Sequence, residues 1–167
     1  MNLSFSYIIS QTLVIVYYII YSSTYYLKDN NKILEFGIIA TIIRAISYLF
    51  LNAYTGMAMC IVAIIRNLLF TKDEKSTRNL IIIIILTIFS SIPTFDSYFC
   101  LFNIIATIMY TYALCQKNTK VYKLLGIIVN GLMIIYDIYI KSIFGVILIT
   151  ISFISSIVGY LIEIKNK

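Results

Sequence analysis

Arg44, Arg66 and Asp137 are charged side chains set inside otherwise apolar runs, spanning residues 33–51, 54–70 and 121–140. A guanidinium stays protonated throughout the physiological range and offers five donors in a planar fork, so it calls for a carboxylate, a phosphate or several acceptors. Asp137 or Asp96 could meet Arg44, and Arg44–Asp137 is the pairing expected; Arg66 could meet Glu35 or Glu163 or snorkel to an interface. Around these charges lie Thr41, Asn67, Asn103 and Asn130. Their hydroxyl and amide groups can hydrogen-bond either a polar solute or a neighbouring helix. Thr41, Arg44, Asn67, Asn103, Asn130 and Asp137 are therefore the candidate lining of a solute cavity, and Arg44–Asp137 and Arg66–Glu35 the candidate structural ion pairs.

Other chemistry is hard to build from this sequence. There is no histidine, which removes the commonest general base and metal ligand. Cys60, Cys100 and Cys115 have no metal-like or disulfide-like spacing and read as small buried residues. The carboxylates Asp29, Glu35, Asp73, Glu74, Asp96, Asp137 and Glu163 form no close pair within an apolar run. No catalytic residue, cofactor or metal is expected, and an enzyme is not the reading.

The elements that must position the polar residues follow from composition. A chain of 167 residues with 61% hydrophobic and 12% charged residues is far more apolar than a soluble domain, in which about a quarter of residues are charged. It belongs in a bilayer. Its 13 Lys and Arg lie between apolar runs rather than along one stripe, which reports membrane orientation and argues against nucleic acid as a partner. With about 20 residues per crossing, seven spans are expected: 6–27, 33–51, 54–70, 79–91, 98–114, 121–140 and 143–164. The first has no basic residues before its apolar core and no small-residue cleavage site, so it is expected to be retained. The fourth is an isoleucine run stopped by Pro93, and its start is expected in the preceding polar loop.

Lys28, Lys32, Lys72, Lys75, Arg78, Lys117, Lys120, Lys123, Lys165 and Lys167 fall on one side of this arrangement and Lys141 alone on the other. Such a bias places the amino terminus outside and the carboxyl terminus in the cytoplasm. Sliding the chain on itself by 87 to 89 residues sets Thr24–Tyr25 on Thr111–Tyr112, Lys32 on Lys120, Gly37–Ile39 on Gly126–Ile128 and Gly56 on Gly145. The fold expected is an all-α polytopic membrane protein of seven helices in a 3+1+3 arrangement with parallel internal repeats. A single membrane domain would contain one triple-helix repeat over 1–70, a linker helix over 71–93 and a second repeat over 94–167.

Helical spacing groups the polar residues. Gly37, Thr41, Arg44 and Tyr48 share one face of the second span, and Gly126, Asn130, Met133 and Asp137 share one face of the sixth. A polar stripe is costly against lipid and should turn inward, so the two stripes are expected to face each other. Gly56, Cys60, Ala63 and Asn67 form a small-residue face on the third span, and Ser155 and Gly159 a small-xxx-small contact on the seventh.

The segment Asn-Ala-Tyr-Thr-Gly at 52–56, the run Ile65-Arg66-Asn67-Leu68, the segment LFNIIATIMYTYALC at 101–115 and the span near Ser142 resemble bacterial inner-membrane proteins of the YgjV type. That family is grouped loosely with the SWEET, PQ-loop and nicotinamide-riboside transporters. The resemblance implies residence in the bacterial cytoplasmic membrane and a relation to small-solute carriers. It supplies no catalytic or ligand signature. The chain departs from the SWEET pattern in having one proline, Pro93, and no Pro-Gln pair; glycines 37, 56, 126 and 145 could supply flexibility instead.

Two functions follow as expectations. One is a carrier of a small polar solute through a cavity between the triple-helix repeats. The other is a non-transporting assembly or regulatory protein whose basic loops bind a partner or anionic lipid. The partners expected are membrane lipid, with a small-molecule solute and a homo-oligomer as options.

Overall fold

The computed structural model describes residues 4–23, 30–72, 76–116 and 119–165. Among the described residues there are seven α-helices and no strand: α1 (Phe5–Ser23), α2 (Asn30–Phe50), α3 (Tyr54–Lys72), α4 (Thr77–Ser91), α5 (Cys100–Leu114), α6 (Thr119–Tyr139) and α7 (Ile143–Lys165). They occupy the seven apolar segments of the sequence. The expected end of the first span at 24–27, the loop residues Lys28 and Asp29, the acidic part of the 71–78 segment, Lys117 and Lys167 lie outside the described residues.

α4 begins two residues before the expected start of its span at 79, where Ser76 in extended conformation caps the Arg78 amide at 3.3 Å. Pro93 closes it through a 3-10 turn at Ile92–Thr94, whose Thr94 carbonyl accepts the hydroxyl of Thr55 at the head of α3.

The hairpins α2–α3 and α6–α7 are joined by the same turn. Among the described residues, Asn52 and Lys141 are the non-glycine residues with positive φ, 55° and 58°. In one turn the Ala53 amide donates to the Tyr48 carbonyl at 2.9 Å and Asn52 to Leu49 at 3.1 Å; in the other Ser142 donates to Asp137 at 2.9 Å and Lys141 to Ile138 at 3.0 Å. Both are Schellman caps, in which a left-handed residue lets two amides turn back onto the last helical carbonyls. Each leads to a glycine packed on the preceding helix. A Cβ at Gly56 would lie 2.9 Å from the Tyr48 ring and 2.8 Å from the Tyr136 hydroxyl, and a Cβ at Gly145 would lie 2.6 Å from an Asp137 oxygen.

α2 packs between α1 and α3, and α6 between α5 and α7. α3 meets α5 and α1 meets α7, so the groups α1–α3 and α5–α7 join at both flanks, while α4 leans on α3 and α5. No backbone approach within 8 Å joins α2 to α6 among the described residues. Only side chains bridge them.

The polarity is inverted relative to a soluble domain. Arg44, Arg66, Asn67, Asn103 and Asp137 are buried, whereas Ile143, Ile147, Ile151, Ile154, Val158 and Leu161 form an exposed apolar face along α7. Water would penalise that surface heavily, and hydrocarbon matches it. Thr77–Thr94, Lys120–Tyr139 and Ile143–Leu161 are long and apolar enough to cross a bilayer, and Phe5–Tyr21, Tyr54–Phe70 and Cys100–Leu114 are shorter apolar helices. The face with Ser155 and Gly159 departs from the expected packing contact: Ser155 is exposed and a Cβ at Gly159 would meet nothing within 4 Å. α6 reaches α7 along a different line, through Asn130 and Ser156.

Candidate functional site

Buried polar groups concentrate at two levels of the bundle. At the end that carries the Schellman turns, one Arg44 nitrogen, Nη2, donates to both Asp137 oxygens at 2.7 and 2.8 Å, and both side chains are nearly inaccessible. The guanidinium carbon lies 4.3 Å from the Tyr48 ring centre and 5.7 Å from that of Tyr17. Tyr48 meets Tyr136 edge-on across the same gap, with ring centres 6.0 Å apart. This bridge joins α2 to α6, helices whose backbones stay apart. Asp96, the other carboxylate considered for Arg44, is exposed and accepts from the Cys100 thiol at 2.7 Å.

The ion pair is not fully satisfied. Arg44 Nη1 and Ser142 Oγ are buried and have no hydrogen-bond partner among the described residues. Each such group forfeits hydration without replacement, which costs about 1–3 kcal/mol for a neutral one.

The second level lies towards the far ends of α1, α3 and α5. Arg66 is 5% exposed, and its Nε and Nη2 donate to the Asn67 Oδ1 at 3.1 and 3.0 Å. Its guanidinium carbon stands 4.9 Å from the Tyr110 ring centre, and the Tyr110 hydroxyl is 3.5 Å from that of Tyr21. Tyr21 in turn stacks on Tyr17, with ring centres 5.7 Å apart, so an aromatic ladder runs from one arginine to the other. Glu35, the expected partner of Arg66, is exposed in the second turn of α2, and no ion pair joins the two among the described residues. The side chain of Glu163 lies outside the described residues. A cation–π contact is worth roughly 0.5–2 kcal/mol, whereas taking an ion out of water costs several kcal/mol. Among the described residues, the neighbours of Arg66 therefore leave its charge largely uncompensated.

The six residues assigned to a single cavity are thus distributed. Arg44 and Asp137 meet each other, Asn67 serves Arg66, and Asn103 is buried on α5. The Thr41 hydroxyl bonds back to Gly37 in its own helix at 2.7 Å, as threonines in apolar helices commonly do. Asn130 turns to Ser156 of α7 at 3.0 Å rather than towards α2, because α6 is flanked on that side by a helix offering a hydroxyl. A cleft of about 160 Å³ lies elsewhere, between α1 and α7, lined by Tyr7, Ile8, Gln11, Thr12, Ile15 and Phe144.

Several contributors carry weak sequence signals. Ser10 and Ser47 exchange hydroxyl and carbonyl contacts of 3.0 to 3.2 Å where α1 crosses α2. Asn79, Ile83, Thr87 and Ser91 form the buried edge of α4, and their spacing of four within an isoleucine run is a signal that could have identified them. Gln11 accepts from the Phe144 amide at the start of α7 at 2.9 Å. Tyr17, Tyr21 and Tyr110 are indistinguishable in sequence from interfacial tyrosines.

No curated protein and no solved structure matches the chain. A family model described as a bacterial inner membrane protein does match it, over residues 8–166. That match agrees with the apolar exterior and the buried charges, and assigns the chain to the inner membrane as a multi-pass protein. The chain belongs to the bacterial inner membrane protein family Imp-YgjV.

Proposed function

We propose that the protein is a carrier of a small polar solute, built from two parallel triple-helix repeats, 1–70 and 94–167, joined by a linker helix over 71–93. The observation that carries this reading is the Arg44–Asp137 bridge: the middle helices of the two triplets are held together by side chains alone. Such a contact can break and reform without repacking a backbone interface.

Three features support the repeat. The turns at Asn52 and Lys141 share one hydrogen-bond pattern. The contacts α3–α5 and α1–α7 exchange under the operation that swaps the triplets. Tyr21 and Tyr110, equivalent under the shift that relates Gly56 to Gly145, meet each other, as residues beside a twofold axis must. Parallel repeats related by an axis along the membrane normal are the layout of SWEET-type carriers. With the basic loops in the cytoplasm, Arg44 and Asp137 lie in the outer half, where they would close the solute path, and Arg66 in the inner half.

Reconstituted protein should move at least one member of a panel of sugars, vitamins and organic acids into liposomes, and Asp137→Asn should alter the rate at unchanged protein content. Absence of flux across the whole panel, from vesicles containing folded protein, would sink the proposal. The non-transporting alternative is favoured by Thr41 and Asn130, whose polar groups are already spent inside the chain. It would gain from a stoichiometric partner that is lost when Lys117, Lys120 and Lys123 are neutralised. Neither reading gives the protein an enzymatic activity.

A further inference from the structure

We propose that Arg66, with Tyr21 and Tyr110, forms a binding site for an oxyanion, a carboxylate or a phosphate, in the half of the bundle away from the Schellman turns. The two buried arginines make the contrast. Arg44 faces Asp137 at 2.7 Å, whereas Arg66, just as buried, holds only the neutral Asn67 amide and the face of Tyr110 among the described residues. A guanidinium cannot shed its proton to escape this position, and charges kept inside membrane bundles mark ligand or ion sites unless they are paired.

The geometry suits an anion. Nε and Nη2 are committed to Asn67, which fixes the plane of the fork and leaves Nη1 without a hydrogen bond among the described residues. The Tyr110 ring covers one region of the guanidinium, and its hydroxyl, 3.5 Å from that of Tyr21, can accept from Tyr21 while donating its own proton to an anion. Fork and Tyr110 hydroxyl together match an oxygen-bearing anion better than a halide. The oxyanion could belong to a free metabolite or to a lipid headgroup, and the chemistry recognised is the same. Should the protein be a carrier, this is where its solute would dock, a step that rests on that reading; anion binding does not need it.

The test is thermal unfolding of the purified full chain in sodium phosphate and in sodium succinate, each against sodium chloride at equal ionic strength. A parallel arm uses phosphatidylglycerol and phosphatidylcholine nanodiscs. A rise in melting temperature of about 4 °C or more with either soluble anion, absent in Arg66→Gln, supports a site for a free oxyanion. A rise confined to phosphatidylglycerol nanodiscs and absent in Arg66→Gln supports a site for a lipid phosphate. If no anion moves the parent protein in either arm, or if Arg66→Gln responds equally, the inference is overturned. Tyr110→Phe keeps the ring and removes one hydroxyl, so it carries the test if Arg66→Gln does not fold; its response must be smaller than the parent's, and an equal response overturns the proposal. Binding without flux would leave the site and sink the carrier, and flux without Arg66-dependent binding would do the reverse.

Discussion

Arg44 and Asp137 show how a pair of residues can be costly and still indispensable. Removing either partner leaves the other charge buried and alone, which costs roughly 3–5 kcal/mol in comparable pairs. Removing both avoids that penalty. Arg44→Ala and Asp137→Ala should therefore each lower stability strongly, and the double variant should lose clearly less than the sum. Unfolding in detergent, read through the double-mutant cycle, checks this, and strict additivity would mean that the pair contributes no coupling. The charge pairing was legible in the sequence because few carboxylates occur in apolar runs, and Asp137 was one of two that could share a depth with Arg44. The destination of Asn130 was not legible. Helical spacing defines a face, but α6 touches α5 on one side and α7 on the other, and a single face can serve two neighbours. Ser156 settles the choice, and it is an unremarkable serine in sequence.

At the scale of elements, apolar run length located all seven helices, because hydrocarbon leaves no cheaper way to satisfy backbone groups. The observed bounds depart from the expected ones mainly where capping decides, as at Ser76 ahead of α4. What run length cannot give is which side of a helix faces inward. The six glycines show it. A Cβ at Gly145 would fall 2.5 Å from the Ser142 hydroxyl and 2.6 Å from Asp137, and one at Gly56 would strike Tyr48 and Tyr136. At Gly126 and Gly159 it would meet nothing within 4 Å. Gly145→Ala and Gly56→Ala should each destabilise by about 1–3 kcal/mol through overpacking, and Gly145→Ala should also dislodge Asp137 from Arg44. Gly159→Ala should be neutral or stabilise by about 0.5–1 kcal/mol, the ordinary gain of alanine over glycine inside a helix. Melting temperatures of the three single variants separate the two classes, and a large loss at Gly159 would show that α7 has a partner on that face.

For the whole molecule, the arrangement of polarity constrains orientation as well as environment. Isoleucine, leucine and phenylalanine cover the outside, and among the described residues Lys32, Arg78, Lys120, Lys123 and Lys165 stand at helix ends away from the turns at Asn52 and Lys141. Moving those ends across a membrane is disfavoured, so the turns at Asn52 and Lys141 should face outward and the Lys32 and Lys120 ends inward. Both turn residues are exposed, which makes them accessible to a reagent. In a background lacking Cys60, Cys100 and Cys115, Asn52→Cys and Lys141→Cys should react with a membrane-impermeant maleimide in intact spheroplasts, whereas Lys32→Cys and Lys120→Cys should react only after permeabilisation. The two turns test the repeat together with the topology. Parallel triplets require positions 52 and 141 to report the same side, and an inverted repeat would require opposite sides. Labelling of one turn but not the other in intact spheroplasts would therefore remove the 3+1+3 arrangement, and with it the argument that Arg44 and Asp137 close the outer half while Arg66 serves the inner one.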